Sequence, residues 1–318
     1  MRAPFLLITL LLLSICPAWA DPPVPPASRI QSADKPFGVI VDIDDTIRDT
    51  LVGSQPSTVS ATKRALALKT IARTFAPKDV LVGAPEVLNA SLSKASVLYL
   101  SNMPKFIASL TDRFFQVAKL PKGPLIVRQN LLGPADNHKF NSIKALIEKN
   151  PETRFVLVGD NGEADPLTFK RVTDDPTLRE HIAGVYVRQA YPDREFEGIG
   201  KEQIPFYTWA ELAMRFQAQG IIDEAGAKKA LQAVDKALER DPAKVGINAE
   251  KVYTSQTKVD SAEVQAALHG IPASQSPELN QAYAKTEAGL ERFFEVRSDP
   301  DFPVKCSLRS VVNAILDF

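Results

Sequence analysis

The chain has 318 residues, 45% hydrophobic and 24% charged, a globular composition with room for one large domain or two smaller ones. Its 38 basic and 38 acidic residues give a formal net charge of +0, which excludes an overall field that would gather nucleic acid or an anionic membrane. Any anion chemistry has to be local.

The first twenty residues, MRAPFLLITLLLLSICPAWA, place a basic residue before an apolar run from Phe5 to Ile15 and small residues at Ala18 and Ala20. That pattern predicts a cleavable export signal over 1–20; the apolar run is shorter than the roughly 20 residues a membrane span needs. Ile15 stands before Cys16 where a lipoprotein signal has a small residue. With Cys16 removed, Cys306 is the sole remaining cysteine, so neither an intrachain disulfide nor a disulfide-linked partner is expected, and a bacterial periplasm fits. Residues 21–36, DPPVPPASRIQSADKP, read as a proline-rich tether.

Short apolar, β-branched runs follow: FGVIVDI, SVLYLSN, GPLIVRQ, RFVLVGD and GVYVRQ. Their length and near-continuous hydrophobicity predict strands of a parallel sheet covered on both faces. Between them, STVSATKRALALKTIARTF carries Ala65, Leu68, Ile71 and Phe75 on one helical stripe, and KFNSIKALIEK carries Phe140, Ile143, Leu146 and Ile147 on another. The alternation predicts a doubly wound α/β fold, with ligands at the carboxyl ends of the strands. From about Phe206 the strands stop. FYTWAELAMRFQAQGIIDEAGAKKALQAVDKALERDP predicts two helices broken near Gly220, and SPELNQAYAKTEAGLERFFEV and SLRSVVNAILDF predict two more, after a variable stretch from Val245 to Ser276. The expected division is a catalytic domain over 37–205 and a helical C-terminal extension over 206–318.

The chemistry gathers at strand ends. Asp42 and Asp44, two apart, can project to one side while Ile43 points to the other, and two carboxylates aimed at one place favour a hard divalent cation. A solvated acidic turn is the plain alternative. A calcium loop of the EF-hand type is not, because Ile47 and Gly53 occupy the positions that need Gly and Glu. Ser101 ends a second strand, where its hydroxyl can donate to a phosphoryl oxygen or cap a helix. Lys139 opens an amphipathic helix against the positive end of its dipole, so it is either a solvated surface lysine or the partner of an anion. RFVLVGDNGEADP ends a further strand in Gly159-Asp160, with Glu163 and Asp165 in the following loop.

The ordered set DIDDT, LYLSN, Lys139 in HKFNSIKALI and GDNGEAD resembles the four motifs of haloacid dehalogenase-like phosphohydrolases. More closely, VDIDDTIRDT, VLYLSNMP, LPKGPLIVRQ, KFNSIKALIEKNPETRFVLVGDNGEADP and GVYVRQ, spanning Phe37 to Gln189, resemble the catalytic domain of the actin-patch-protein type of phosphatidate phosphatase. One departure lies at Met103-Pro104-Lys105, where that family leads one to expect a small residue and then Pro-Trp.

The resemblance implies that Asp42 is the nucleophile and Asp44 the general acid and then base. Thr46 would orient Asp44 or the phosphoryl group, and Ser101 and Lys139 would hold phosphoryl oxygens. It implies Mg2+ held by Asp42, the backbone carbonyl of Asp44 and Asp160, with Asp165 or Glu163 acting through water. Asp45 receives no role. The helix from Thr58 to Phe75 occupies the place of a cap, and the segment from Phe106 to Lys139 is too short for a large second one. The implied site is open and suits a bulky phosphorylated lipid or a small phosphomonoester, with room for peripheral membrane contact. A non-catalytic phosphate-binding module would lack one of these groups, and a receiver domain would carry its phosphorylated aspartate where this chain has Ser101.

Overall fold

The structure, a computed structural model, describes residues 36–49, 80–108, 111–129, 135–162, 164–190, 202–240 and 270–298. The expected export signal, nearly all of the tether, the helix expected between Thr58 and Phe75, Glu163, most of the stretch from Val245 to Ser276 and the last expected helix lie outside them.

Six strands form one sheet: β1 (Phe37–Val41), β2 (Ala95–Pro104), β3 (Leu125–Arg128), β4 (Arg154–Asp160), β5 (Ile182–Arg188) and β6 (Gln203–Phe206). Their order is β3-β2-β1-β4-β5-β6, and every neighbouring pair is parallel. Five are the runs expected from sequence. The sixth, QIPF, was not singled out, because it is four residues long and holds Pro205. Proline cannot donate to a ladder, and β6 tolerates it as an edge strand.

Side chains alternate across the sheet, so β1 sends Val39 and Val41 to one face and Ile40 to the other. The Ile40 face packs Ile143, Leu146 and Ile147 of α4 (Ala135–Lys149), Phe169 and Val172 of α5 (Asp165–Asp174) and Leu178 of α6 (Pro176–Arg179). The Val39 face packs Val87 and Leu88 of α1 (Ala84–Ser91), Phe114 of α3 (Thr111–Val117), Leu212 and Phe216 of α7 (Trp209–Ala218), Leu231 and Val234 of α8 (Glu224–Arg240) and Leu279 and Leu290 of α9 (Pro277–Ser298). The short α2 (Lys105–Ala108) follows β2. Each such side chain, fully withdrawn from water, contributes about 1.5–3 kcal/mol before conformational entropy is counted. The break expected near Gly220 lies between α7 and α8, with that glycine at φ +72°.

The order of winding reverses between β1 and β4. The chain leaves β1 for β2 and β3 on one side, then returns to place β4, β5 and β6 on the other. A crevice opens at the carboxyl ends of strands at such a point. Asp42 follows β1 there, its N–H donating to the Val158 carbonyl at 2.9 Å, and Asp160 is the last residue of β4.

Candidate active site

The residues after β1 fold into a tight turn. Ile43 is fully buried, and its carbonyl accepts from the N–H groups of Ile47 at 3.0 Å and Arg48 at 3.1 Å, while the Asp45 N–H donates to the Arg48 carbonyl at 2.7 Å. Asp45 sits in the left-handed region at φ +59°, which aspartate enters more readily than most side chains. This gives Asp45 the part that the sequence left open: its backbone lets the chain reverse between Asp44 and Thr46.

Asp42, Asp160 and Asp165, all buried, offer carboxylate oxygens within 4.8 Å of one another. Lys139, itself 2% exposed, donates to Asp42 Oδ1 at 2.7 Å and Asp165 Oδ1 at 2.5 Å. It lies one turn inside α4 and not at its first residue, because the helix begins at Ala135. The anionic partners foreseen for this lysine are present. Burial, with the neighbouring Asp165, Asp160 and Asp44, outweighs Lys139 and holds the Asp42 carboxyl well above the usual carboxylate range.

Three carboxylates crowded around one lysine repel one another, and a divalent cation would offset that repulsion. Asp165 Oδ2 is buried with no hydrogen-bond partner among the described residues, as an oxygen kept for a cation would be. An all-carboxylate set is hard-cation chemistry, so the residues fit a hard divalent ion. Asp165 is the first residue of α5 rather than part of a loop, and Gly159 makes room for it: a Cβ at Gly159 would lie 2.3 Å from Asp165 Oδ2.

The remaining residues divide. Thr46 Oγ1 donates to Asp160 Oδ2 at 3.1 Å and lies 3.4 Å from Asp42 Oδ2, so it ties the first and fourth motifs together. Asp44 turns its Oδ1 to the fully buried Arg48, accepting from Nε at 2.8 Å, with Nη2 in ion-pair contact at 2.6 Å. Arg48 in turn lies over the Phe114 ring, 5.1 Å from its centroid. Ser101 Oγ accepts from the Met103 N–H at 3.0 Å, and β2 continues past it to Pro104, so Ser101 does not cap a helix. The ring of His138, next to Lys139, bonds the Ser101 backbone. Burial and Lys139 depress it to about 4, and its Nε2 is buried without a partner among the described residues.

Sequence reasoning missed Arg48, His138, Arg188 and Trp209. Arg188 Nη1 donates to the Asp45 carbonyl and its Nε donates to that of Tyr207, while Trp209 Nε1 donates to the Thr46 carbonyl at 3.1 Å. Only the Arg48 spacing, four residues beyond Asp44, carried a local signal.

A doubly wound parallel sheet with interacting carboxylates at the ends of its two central strands and a lysine between them resembles the aspartate-based phosphohydrolases. Residues 37–189 match the family described as phosphatidate phosphatase APP1, catalytic domain. The chain is 26% identical to "Phosphatidate phosphatase APP1" of Saccharomyces cerevisiae over 161 residues, 48% of this chain and 26% of that protein. It is 28% identical to "Uncharacterized protein C29B5.04c" of Schizosaccharomyces pombe over 175 residues, 52% of this chain and 27% of that protein. The matched region thus spans about a quarter of the length of these curated relatives. Among solved structures, a chain of the Pnkp1/Rnl/Hen1 complex is 19% identical, with a TM-score of 0.28 over 51% of this chain and 50% of that one.

Proposed function

We propose that this protein is a Mg2+-dependent phosphomonoester hydrolase that works through an aspartyl-phosphate on Asp42, with phosphatidate as its substrate. The observation that carries the reading is the buried group of Asp42, Lys139, Asp160 and Asp165, assembled at the reversal of the sheet within the segment that matches the family. Asp42 attacks phosphorus, the bond from phosphorus to the ester oxygen breaks, and Asp44 gives that oxygen its proton. Asp44 then takes a proton from water, which attacks the aspartyl-phosphate, frees orthophosphate and restores Asp42. The Arg48 contacts occupy Asp44 Oδ1 and leave Oδ2 for the proton. Lys139 balances the nucleophile's charge and holds phosphoryl oxygens, and the Ser101 hydroxyl, whose oxygen accepts from the Met103 N–H, donates its own proton to a phosphoryl oxygen.

Asp42, Asp160 and Asp165 would hold the cation with the Asp44 carbonyl, and when bound it neutralises charge on the phosphoryl oxygens. Export to a periplasm, drawn from the first twenty residues, belongs to the same reading.

Phosphate release from phosphatidate vesicles, compared with sugar phosphates and nucleotides, tests the substrate. Release from soluble esters alone would overturn the lipid assignment. Asp42→Asn is expected to lower turnover at least about a thousandfold while leaving the circular dichroism unchanged, since removing a covalent nucleophile commonly costs that much. Full activity in that variant would remove Asp42 from its role. EDTA should abolish activity, and added Mg2+ should restore it.

A further inference from the structure

The turn that carries Asp42 and Asp44 is held by Arg188 from within the family segment and by Trp209 from outside it. Two successive carbonyls, those of Asp45 and Thr46, belong to a buried backbone reversal whose Asp45 sits at φ +59°. A buried carbonyl needs a donor, and here each receives one from a side chain. Arg188, at the end of β5, supplies the Asp45 carbonyl, and the indole N–H of Trp209, the first residue of α7, supplies that of Thr46 at 3.1 Å.

The start of α7 is itself fixed. Glu211, fully buried, accepts from the Tyr207 N–H at 3.0 Å, the Thr208 N–H and the Thr208 hydroxyl at 2.8 Å, and the Tyr207 carbonyl accepts from Arg188 Nε. Trp209 has no freedom on its other side. It is 0% exposed and packs edge to face with Phe206, and a Cβ on Gly83 would lie 2.8 Å from its own Cβ. Hydrogen bonds thus join Arg188, Tyr207 and Glu211, Trp209 lies in the helix turn that they fix, and Arg188 and Trp209 both donate to the turn after β1.

We propose that Trp209 is a positioning residue for the nucleophile: its indole N–H, acting with Arg188, locks the turn in the conformation that gathers Asp42 and Thr46 against Asp160. The catalytic unit then extends past residue 189, where the family match ends, through β6 to the first turn of α7. A tryptophan serving only as core filling would need its ring and not its N–H. A phenylalanine in its place keeps most of the ring and loses the donor.

The test uses the full chain with Trp209→Phe, and with Phe216→Leu as a packing control on the same helix and in the same apolar cluster. Amide hydrogen exchange across residues 42–48 is read at a temperature equally far below each variant's Tm. One lost hydrogen bond corresponds to a change of about tenfold, so Trp209→Phe is expected to speed exchange in that segment by about that factor. Phe216→Leu should leave it within twofold.

The activity arm rests on the phosphatase reading. There, kcat of Trp209→Phe falls about tenfold with KM within twofold, and Phe216→Leu keeps the kcat of the unsubstituted protein. Unchanged exchange in Trp209→Phe, or the same pattern in both variants, overturns the proposal. Should Trp209→Phe not fold, β-benzothienylalanine at position 209 replaces the N–H by sulfur in a side chain of nearly the same shape, and the same two measurements decide. If the unsubstituted protein turns over no phosphomonoester, the phosphatase reading fails while the exchange measurement still judges the role of Trp209.

Discussion

His138 stands between Ser101 and Lys139 with its charged form disfavoured by burial, by the Lys139 ammonium and by Arg128, and it titrates at about 4. In the unfolded chain a histidine titrates near 6.5, so between about 6.5 and 4 the unfolded state binds the proton that the folded state refuses. The contribution of His138 is therefore complete above pH 6.5 and is lost as pH falls toward 4. Urea unfolding at pH 7 and pH 5 should show the unsubstituted protein losing more stability than His138→Gln. Parallel losses would show that the ring is open to water.

A second single-residue test lies at Gly159. Gly159→Ala sets a methyl 2.3 Å from Asp165 Oδ2 and 2.9 Å from its Cβ, both on the short first turn of α5, so the carboxylate has to move. Overpacking of this kind costs roughly 1–3 kcal/mol. We expect a lower Tm together with a smaller rise of Tm on adding Mg2+, read by thermal unfolding with and without the cation.

Among the elements, α4 matters most because it drives a lysine into a group of carboxylates. Lys139→Met removes the cation and leaves Asp42 and Asp165 buried without it, and breaking such a pair typically costs about 3–5 kcal/mol. Divalent cation should restore part of that loss, which urea unfolding with and without Mg2+ would record; equal losses in both would place the cation elsewhere. This element was legible from sequence because its apolar stripe and its lysine lie within a few residues of each other. The ends of β1 and β4 were legible for the same reason, a hydrophobic run meeting a polar residue at once, whereas β2 runs on past Ser101 to Pro104. Trp209 was not, since it meets Thr46 across 163 residues of chain, and no local pattern distinguishes an indole aimed at a carbonyl from one packed in a core. Nor was the pairing of Asp44 with Arg48 read. Its spacing of four mimics a helical pair, whereas here the two residues bridge a turn.

At the scale of the molecule, the sheet has unequal sides. The face covered by α4, α5 and α6 is the smaller apolar cluster, while the other is continuous from Val39 and Val41 through Trp209 and Phe216 to Leu231, Leu279 and Leu290. That continuity crosses the division at 205/206 drawn from the sequence. Read from periodicity alone, the helices after Phe206 are amphipathic, but their apolar stripes do not say whether they face the sheet or one another. The structure shows α7 doing both, touching β6 and α1 as well as α8. A chain ended after Phe206 loses Trp209, Leu212, Phe216 and Ile221 from the cluster and uncovers Tyr186, Phe206 and Val158. The lost side chains alone contribute several times about 1.5–3 kcal/mol, against the 5–15 kcal/mol that typically holds a domain together. Such a chain should show no cooperative thermal transition. Among the described residues, a chain ended after Arg240 takes Leu279, Tyr283 and Leu290 of α9 and the half-buried Ile271 from the cluster, and it should still unfold cooperatively at a lower Tm. Were the shorter chain to unfold cooperatively and keep near-ultraviolet circular dichroism, the C-terminal helices would be a separable layer, and the catalytic turn would have to hold its shape without Trp209.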